Sequence, residues 1–267
     1  LSDGVANPTL TETSERADLM IASARLGFVA GIIAAALGCA SSPSPAAPAT
    51  APPRPPAPDS EPGVVVHEVV RRNGYELTFV SKDPDLDPGV HTQLVERFFV
   101  VYPREVAEYN PGSLTKVKFV IDPTYDGVAA TNAGVVRISA AWFHKHPKDI
   151  DVVTHEVMHI VQAYPPGAGP GWITEGIADY ARCRFGVSNA AGGWSLPALT
   201  AEHKYTTSYR VTARFFVWLE AKVKPGLVKS IDAAMRAHTY RPALWAQLTG
   251  KTVDQLWAEY AANPALP

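Results

Sequence analysis

The amino-acid sequence predicts an α+β domain, a small N-terminal sheet followed by a helical C-terminal part. Residues 75–80 and 116–121 alternate apolar and polar side chains with the two-residue period of a strand. Beyond residue 147 the apolar side chains recur every three or four positions, the period of a helix packed on one face. Ahead of both lies a segment rich in proline, serine and alanine that has no such period.

Taken in order, residues 1–39 read as an upstream and export segment. Met20 is a credible start, Arg25 supplies a positive flank, and an apolar run over 26–37 leads to Gly38-Cys39. That run is far shorter than the roughly 20 residues a membrane-crossing helix needs. Ala36-Leu37-Gly38-Cys39 looks like a bacterial lipobox with leucine one position late. Lipidation at Cys39, with membrane attachment, is the expectation; ordinary cleavage releasing a soluble protein is the alternative. Residues 40–63 hold nine of the 24 prolines in the chain, all between 43 and 62. Too few apolar side chains are present there to offset ordering entropy, so the segment reads as a semi-rigid tether. Residues 64–267 form the folded domain, large enough to bury about 70% of its unfolded surface.

Within that domain, 75–80 is the first expected strand and 90–109 a helix flanked by Pro88 and Pro111. Strand 116–121 follows. Thr131-Asn132-Ala133-Gly134 reads as a turn into a strand over 135–138, the expected sheet edge. Asp149 is expected to cap the next helix, Thr174 the one after, and Gly186 to end it. Further helices are expected over 207–222, 226–238, 242–249 and 252–262, the last opened by a Thr252/Gln255 capping box.

Composition excludes several classes. The formal net charge is −2, and neither a basic stripe nor a glycine-rich phosphate loop is present, so no nucleic-acid or nucleotide partner is expected. After Cys39 only Cys183 remains, which allows no internal disulfide and reads as a buried small side chain. Trp142, Trp218, Trp245 and Trp257 fall in apolar patterns and read as core, and His144 and His146 as solvated loop residues. A monomer is expected.

The chemistry is concentrated in residues 155–159, His-Glu-Val-Met-His. Positions i and i+4 of a helix lie one turn apart on one face, so His155 and His159 can present both imidazoles to one ion. Ile150, Val153, Val157, Ile160, Val161 and Tyr164 form a stripe roughly opposite, which leaves the histidines off the core face. After a Pro/Gly-rich reversal at 164–171, Glu175 and Asp179 repeat the four-residue spacing, one to ligate and one to orient a ligand. Metzincins place glycine and histidine three and six residues past the second histidine; Gln162 and Pro165 stand there instead. The third ligand is therefore sought elsewhere, and Glu175 is the nearest downstream carboxylate. A Zn2+ ion held by His155, His159 and Glu175 would keep a fourth position for water and lower its pKa to about 7. Glu156 would take the proton and pass it to the leaving amine.

The runs HEVMHIVQ, WITEGIADYAR, SYRVTARFFVWLE and LTGKTVDQLWAEY, in this order, resemble the basic secretory protein peptidases of plants and bacteria over about residues 75–260. The resemblance implies a zincin-like fold and activity on a peptide or protein substrate; the basic charge of that family's name does not carry over. It also implies Tyr209 as the donor to the oxyanion, with Tyr205 and His203 as substitutes. Asp179 is expected to accept a proton from a ligating imidazole. Arg182 shares that helix face and is expected to pair with Asp179 or touch substrate. The sequence thus predicts an exported or lipid-anchored zinc metallopeptidase, an endopeptidase rather than an aminopeptidase. The alternative is a non-catalytic, zinc-containing binding protein of the cell envelope, against which Glu156 argues because a structural site needs no base.

Overall fold

The computed structural model describes residues 62–266. The export segment, Cys39 and the tether up to residue 61 lie outside the described residues. Among those described, strands β1 (Val66–Arg72), β2 (Tyr75–Ser81), β3 (Lys116–Asp122), β4 (Ala129–Asn132) and β5 (Val135–Ser139) form one mixed sheet in the order β1-β2-β3-β5-β4. Eight α-helices among the described residues complete the α+β arrangement: α1 (Pro88–Tyr109), α2 (Ala140–Lys145), α3 (Val152–Gln162), α4 (Gly171–Phe185), α5 (Tyr209–Lys222), α6 (Leu227–Arg236), α7 (Leu244–Thr249) and α8 (Val253–Ala262).

The central three strands, β2, β3 and β5, run parallel, and both outer strands are antiparallel to their neighbours. Parallel strands need a crossover, and α1 provides it between β2 and β3. Asp87 opens α1 by accepting from the Gly89 and Val90 amides, ahead of proline at the first helical position, where its missing N–H has no cost. Leu94, Phe98 and Val101 of α1 and Leu77, Phe79, Phe119 and Ile121 of the sheet share the core. Helix α3 lies between α1, α4 and strand β4. It is buried along all of its length except for part of His159.

Three expectations about the elements are corrected. The sheet edge beside α3 is β4, and residues 135–138 lie inside the sheet as β5. Ala133 (φ 47°) and Gly134 (φ 79°) are the two left-handed residues of a tight hairpin turn, which leaves Thr131 and Asn132 free to pair as strand. Asp149 does not cap α3; Asp151 precedes that helix, and Asp149 serves Trp142 and Arg182 instead. Thr174 lies inside α4, which begins at Gly171. Strand β1 and helix α2 were not anticipated, whereas the Thr252/Gln255 box opens α8 as expected.

A close approach holds α5 against α4. A Cβ on Gly176 would lie 2.3 Å from the Thr212 methyl and 3.1 Å from the Phe216 ring. Glycine at this position therefore lets α5 lie directly over the turn of α4 that carries Glu175 and Asp179.

Candidate metal centre and its cleft

His155 and His159 sit one turn apart on α3, and α4 brings Glu175 to them. His155 Nε2 lies 3.1 Å from His159 Nε2, Glu175 Oε2 is 3.3 Å from the first and 3.5 Å from the second. This is a group that could hold a metal ion. A tetrahedral ion with bonds of about 2.0 to 2.1 Å separates its ligand atoms by about 3.3 to 3.4 Å, so the triangle fits zinc without rearrangement.

The opposite edge of each ring is fixed. His155 Nδ1 meets Asp179 Oδ1 at 2.7 Å and His159 Nδ1 meets Gln162 Oε1 at 2.8 Å. Since an ionised carboxylate only accepts, His155 donates from Nδ1 to Asp179 and directs Nε2 at Glu175, so that loss of the Nε2 proton would expose a lone pair at the point the three groups share. Gln162 then donates from Nε2 to the Thr174 carbonyl at 2.8 Å, linking the end of α3 to the residue before Glu175. Asp151 steadies the start of α3 through Arg97 of α1 and the backbone amides of Val187 and Ser188.

Without an ion, the electrostatics of the pocket are those of a proton trap. Burial pushes the His155 pKa down, but the carboxylates of Asp179 and Glu175 outweigh it and hold the pKa up at about 10. Burial raises Glu175, and the two imidazoles more than reverse this, leaving its pKa at about 2.

Glu156 is 5% exposed and accepts at 2.7 Å from the Thr131 hydroxyl of edge strand β4. Tyr209 stands across the cleft, 53% exposed, its ring parallel to that of His155 at 6.0 Å. Burial and the charges of Glu175, Asp179 and Glu156 raise its phenol pKa. Ser208 (φ 75°, ψ 179°) and Tyr209 (φ 50°) are consecutive non-glycine residues in left-handed backbone. The Ser208 conformation is one that essentially only glycine adopts freely. The two proposed substitutes are occupied elsewhere: Tyr205 donates to Asp254 at 2.7 Å, and His203 Nδ1 takes the Thr200 amide at 3.2 Å.

Arg182 lines the cleft, but its ion-pair partner is Asp149, not Asp179. It also donates to Asn189 at 3.0 Å and lies over the Trp194 ring. The Asp149 carboxylate takes the Trp142 indole N–H as well, at 3.0 Å. Trp142 therefore belongs to the cleft wall rather than wholly to the core, and His146 stacks on it. Trp218 and Trp245 are core as expected. His144 faces Asp83 at 2.9 Å, and Cys183 is a free, half-buried thiol.

The cleft has a volume of roughly 1260 Å³, above the usual range of about 300 to 1000 Å³ for small-molecule sites. Sequence reasoning missed Gln162, Thr131 and Asp149 as parts of it. Gln162 was legible, since a residue three positions past His159 shares its helix face. Thr131 reaches Glu156 only through the folding of a hairpin 25 positions away, and no local signal marks it.

Fold and site together define an α+β protein whose cleft carries a His-His-Glu group able to take a metal ion, with a buried carboxylate beside it. The chain belongs to the family described as peptidase of plants and bacteria, whose model matches residues 90–260. No curated protein matches it. Among solved structures it is similar to the M1 zinc metallopeptidase from Deinococcus radiodurans, at 12% identity and a TM-score of 0.44 over 76% of this chain and 52% of that one. A point mutant of that protein matches at 14% identity and a TM-score of 0.45 over the same shares. A two-domain M1 zinc metallopeptidase mutant bound to L-tryptophan matches at 14% identity and a TM-score of 0.41, over 75% and 51%. The chain spans about half the length of these structures.

Proposed function

We propose that the protein is a zinc-dependent endopeptidase, exported and either secreted or lipid-anchored through Cys39. The observation that supports it most is the triangle of His155 Nε2, His159 Nε2 and Glu175 Oε2, whose edges match those of a tetrahedral zinc site. Zinc bound there supplies Lewis acidity, activating water and polarising a carbonyl. The chain does the rest. Glu156 Oε2 takes a proton from the attacking water and returns it to the leaving amine, with the Thr131 hydroxyl holding the carboxylate in place. Asp179 and Gln162 keep both Nε2 lone pairs aimed at the ligating point. The Tyr209 hydroxyl, kept protonated by its raised pKa, donates to the oxygen that gains charge; losing such a donor typically costs about 3 to 4 kcal/mol of barrier. The outer edge of β4 offers backbone groups to an extended substrate strand.

Endopeptidase action is favoured over removal of N-terminal residues because no cleft carboxylate is spare. Asp149 serves Arg182, Glu156 is held by Thr131, Glu175 faces the two imidazoles, and Asp179 serves His155. None is left to pair with a substrate ammonium. Export rests on the sequence pattern of residues 20–39. The test is cleavage of denatured protein by the purified chain, with and without a chelator, beside metal analysis. Chelation should stop cleavage, and Glu156→Gln should stop it with zinc retained. A wild-type protein inert at full zinc occupancy refutes the peptidase reading and favours a binding role.

A further inference from the structure

Four carboxylates and two arginines line the cleft, and five of these six charges are engaged. Arg182 is buried, paired with Asp149 and bonded to Asn189. Arg210 differs. It is exposed, lines the same cleft, and has no ion-pair or hydrogen-bond partner among the described residues. Its charge is felt at the cleft wall: burial lowers the Arg182 pKa, Asp149 opposes this, and Arg210 adds to the lowering.

Arg210 also stands where it weakens the fold. It is the second residue of α5, within the first turn, and that turn contains no acidic side chain. The positive end of the helix dipole lies there, so a cation is unfavourable and an anion favourable. A residue that breaks a local rule without a stabilising return is a candidate for function. Arg210 lines the cleft that also holds His155 and Arg182, and its chain neighbour Tyr209 stacks on His155.

We propose that Arg210 is a specificity-determining residue that selects substrates bearing a carboxylate close to the scissile bond. This rests on the peptidase reading. The carboxylate can be an aspartate or glutamate side chain or the free C-terminus of a short peptide, because either brings the same charged group. A divalent ion cancels the two negative charges left over from the four carboxylates and two arginines, so the attraction is local to Arg210 rather than a field of the whole cleft.

The test uses the zinc-loaded protein and a peptide series with Glu, Gln or Lys at each position flanking the cleaved bond, every member made with free and amidated C-termini. Wild type should cleave the Glu peptide about fivefold faster in kcat/KM than the Gln peptide at one position, the upper end for an exposed ion pair. Arg210→Glu should invert the Glu-to-Lys ratio, Arg210→Lys should keep its sign, and 0.5 M salt, a concentration of about the order that screens exposed pairs, should flatten it. If only the free C-terminus matters, the carboxylate is terminal. An unchanged or higher Tm for Arg210→Glu shows that the altered ratio is not a folding effect. A Glu-to-Lys ratio identical in wild type and Arg210→Glu at every position overturns the proposal. Binding of the same peptides to Glu156→Gln protein reads the preference without turnover. A wild type that cleaves nothing therefore sinks the peptidase reading, while the Glu-to-Gln binding ratio still decides the role of Arg210.

Discussion

Replacing Gln162 with alanine should loosen both the metal and the fold, and the two losses can be measured apart. Gln162 is 1% exposed and makes two bonds of 2.8 Å, accepting from His159 and donating to the Thr174 carbonyl. Truncation leaves a part-buried imidazole N–H and a part-buried carbonyl without partners, which lowers metal-free stability by about 1 to 2 kcal/mol. It also frees the His159 ring, and loss of such a support typically costs ten- to a hundredfold in metal affinity, or about 1.4 to 2.7 kcal/mol. The two effects separate in one experiment. Thermal melts of wild type and variant, each metal-loaded and chelated, give the metal-dependent rise in Tm for each protein, from which the direct structural loss cancels. For a domain of about 200 residues, 1 kcal/mol moves Tm by about 2 to 4 °C, so the rise should shrink by roughly 3 to 10 °C. Competition with a chromogenic chelator should give the same ratio of affinities. Equal metal-dependent rises, with only the baseline melt lowered, would show that Gln162 merely joins α3 to α4 and does not orient His159.

Gly176→Ala should destabilise the protein by about 1 to 3 kcal/mol in denaturant melts, because its Cβ meets the Thr212 methyl at 2.3 Å; an unchanged midpoint would show that α5 can move away freely. Ser208→Gly should stabilise by about 1 kcal/mol by relieving the left-handed backbone, and should lower kcat as Tyr209 loses its fixed approach to His155; a variant less stable than wild type refutes the strain. The metal-free protein should be most stable between about pH 4.5 and 6.5. The Glu175 contribution is complete above its unfolded value near 4.5 and is lost as pH falls through about 2, and the His155 contribution is complete below 6.5 and is lost as pH rises through about 10. A chelated protein whose Tm peaks at pH 8 contradicts this.

The sequence made legible what is written in short-range periodicity. The four-residue spacings of His155/His159 and Glu175/Asp179 can each be read from one helix, and the structure brings these four side chains together. It conceals what depends on partners far along the chain. Asp149 has the position and chemistry of a cap, but Arg182, 33 residues on, competes for its carboxylate. The edge strand was misplaced because Thr131-Asn132 looks like turn chemistry, whereas positive φ falls only on Ala133 and Gly134. Strand β1 escaped notice because His67, Glu68, Arg71 and Arg72 leave it without a clean alternation.

The clamps on the two imidazoles have a bearing on how the protein matures. Gln162 can reach His159 within α3 alone, but Asp179, Glu175 and the Thr174 carbonyl all arrive with α4, and α4 is seated by α5 over Gly176. A nascent chain that has made α3 but not yet docked α4 owns two imidazoles and no third donor. A metal taken up at this site would therefore be bound only at the end of assembly, once the C-terminal helices have met the sheet.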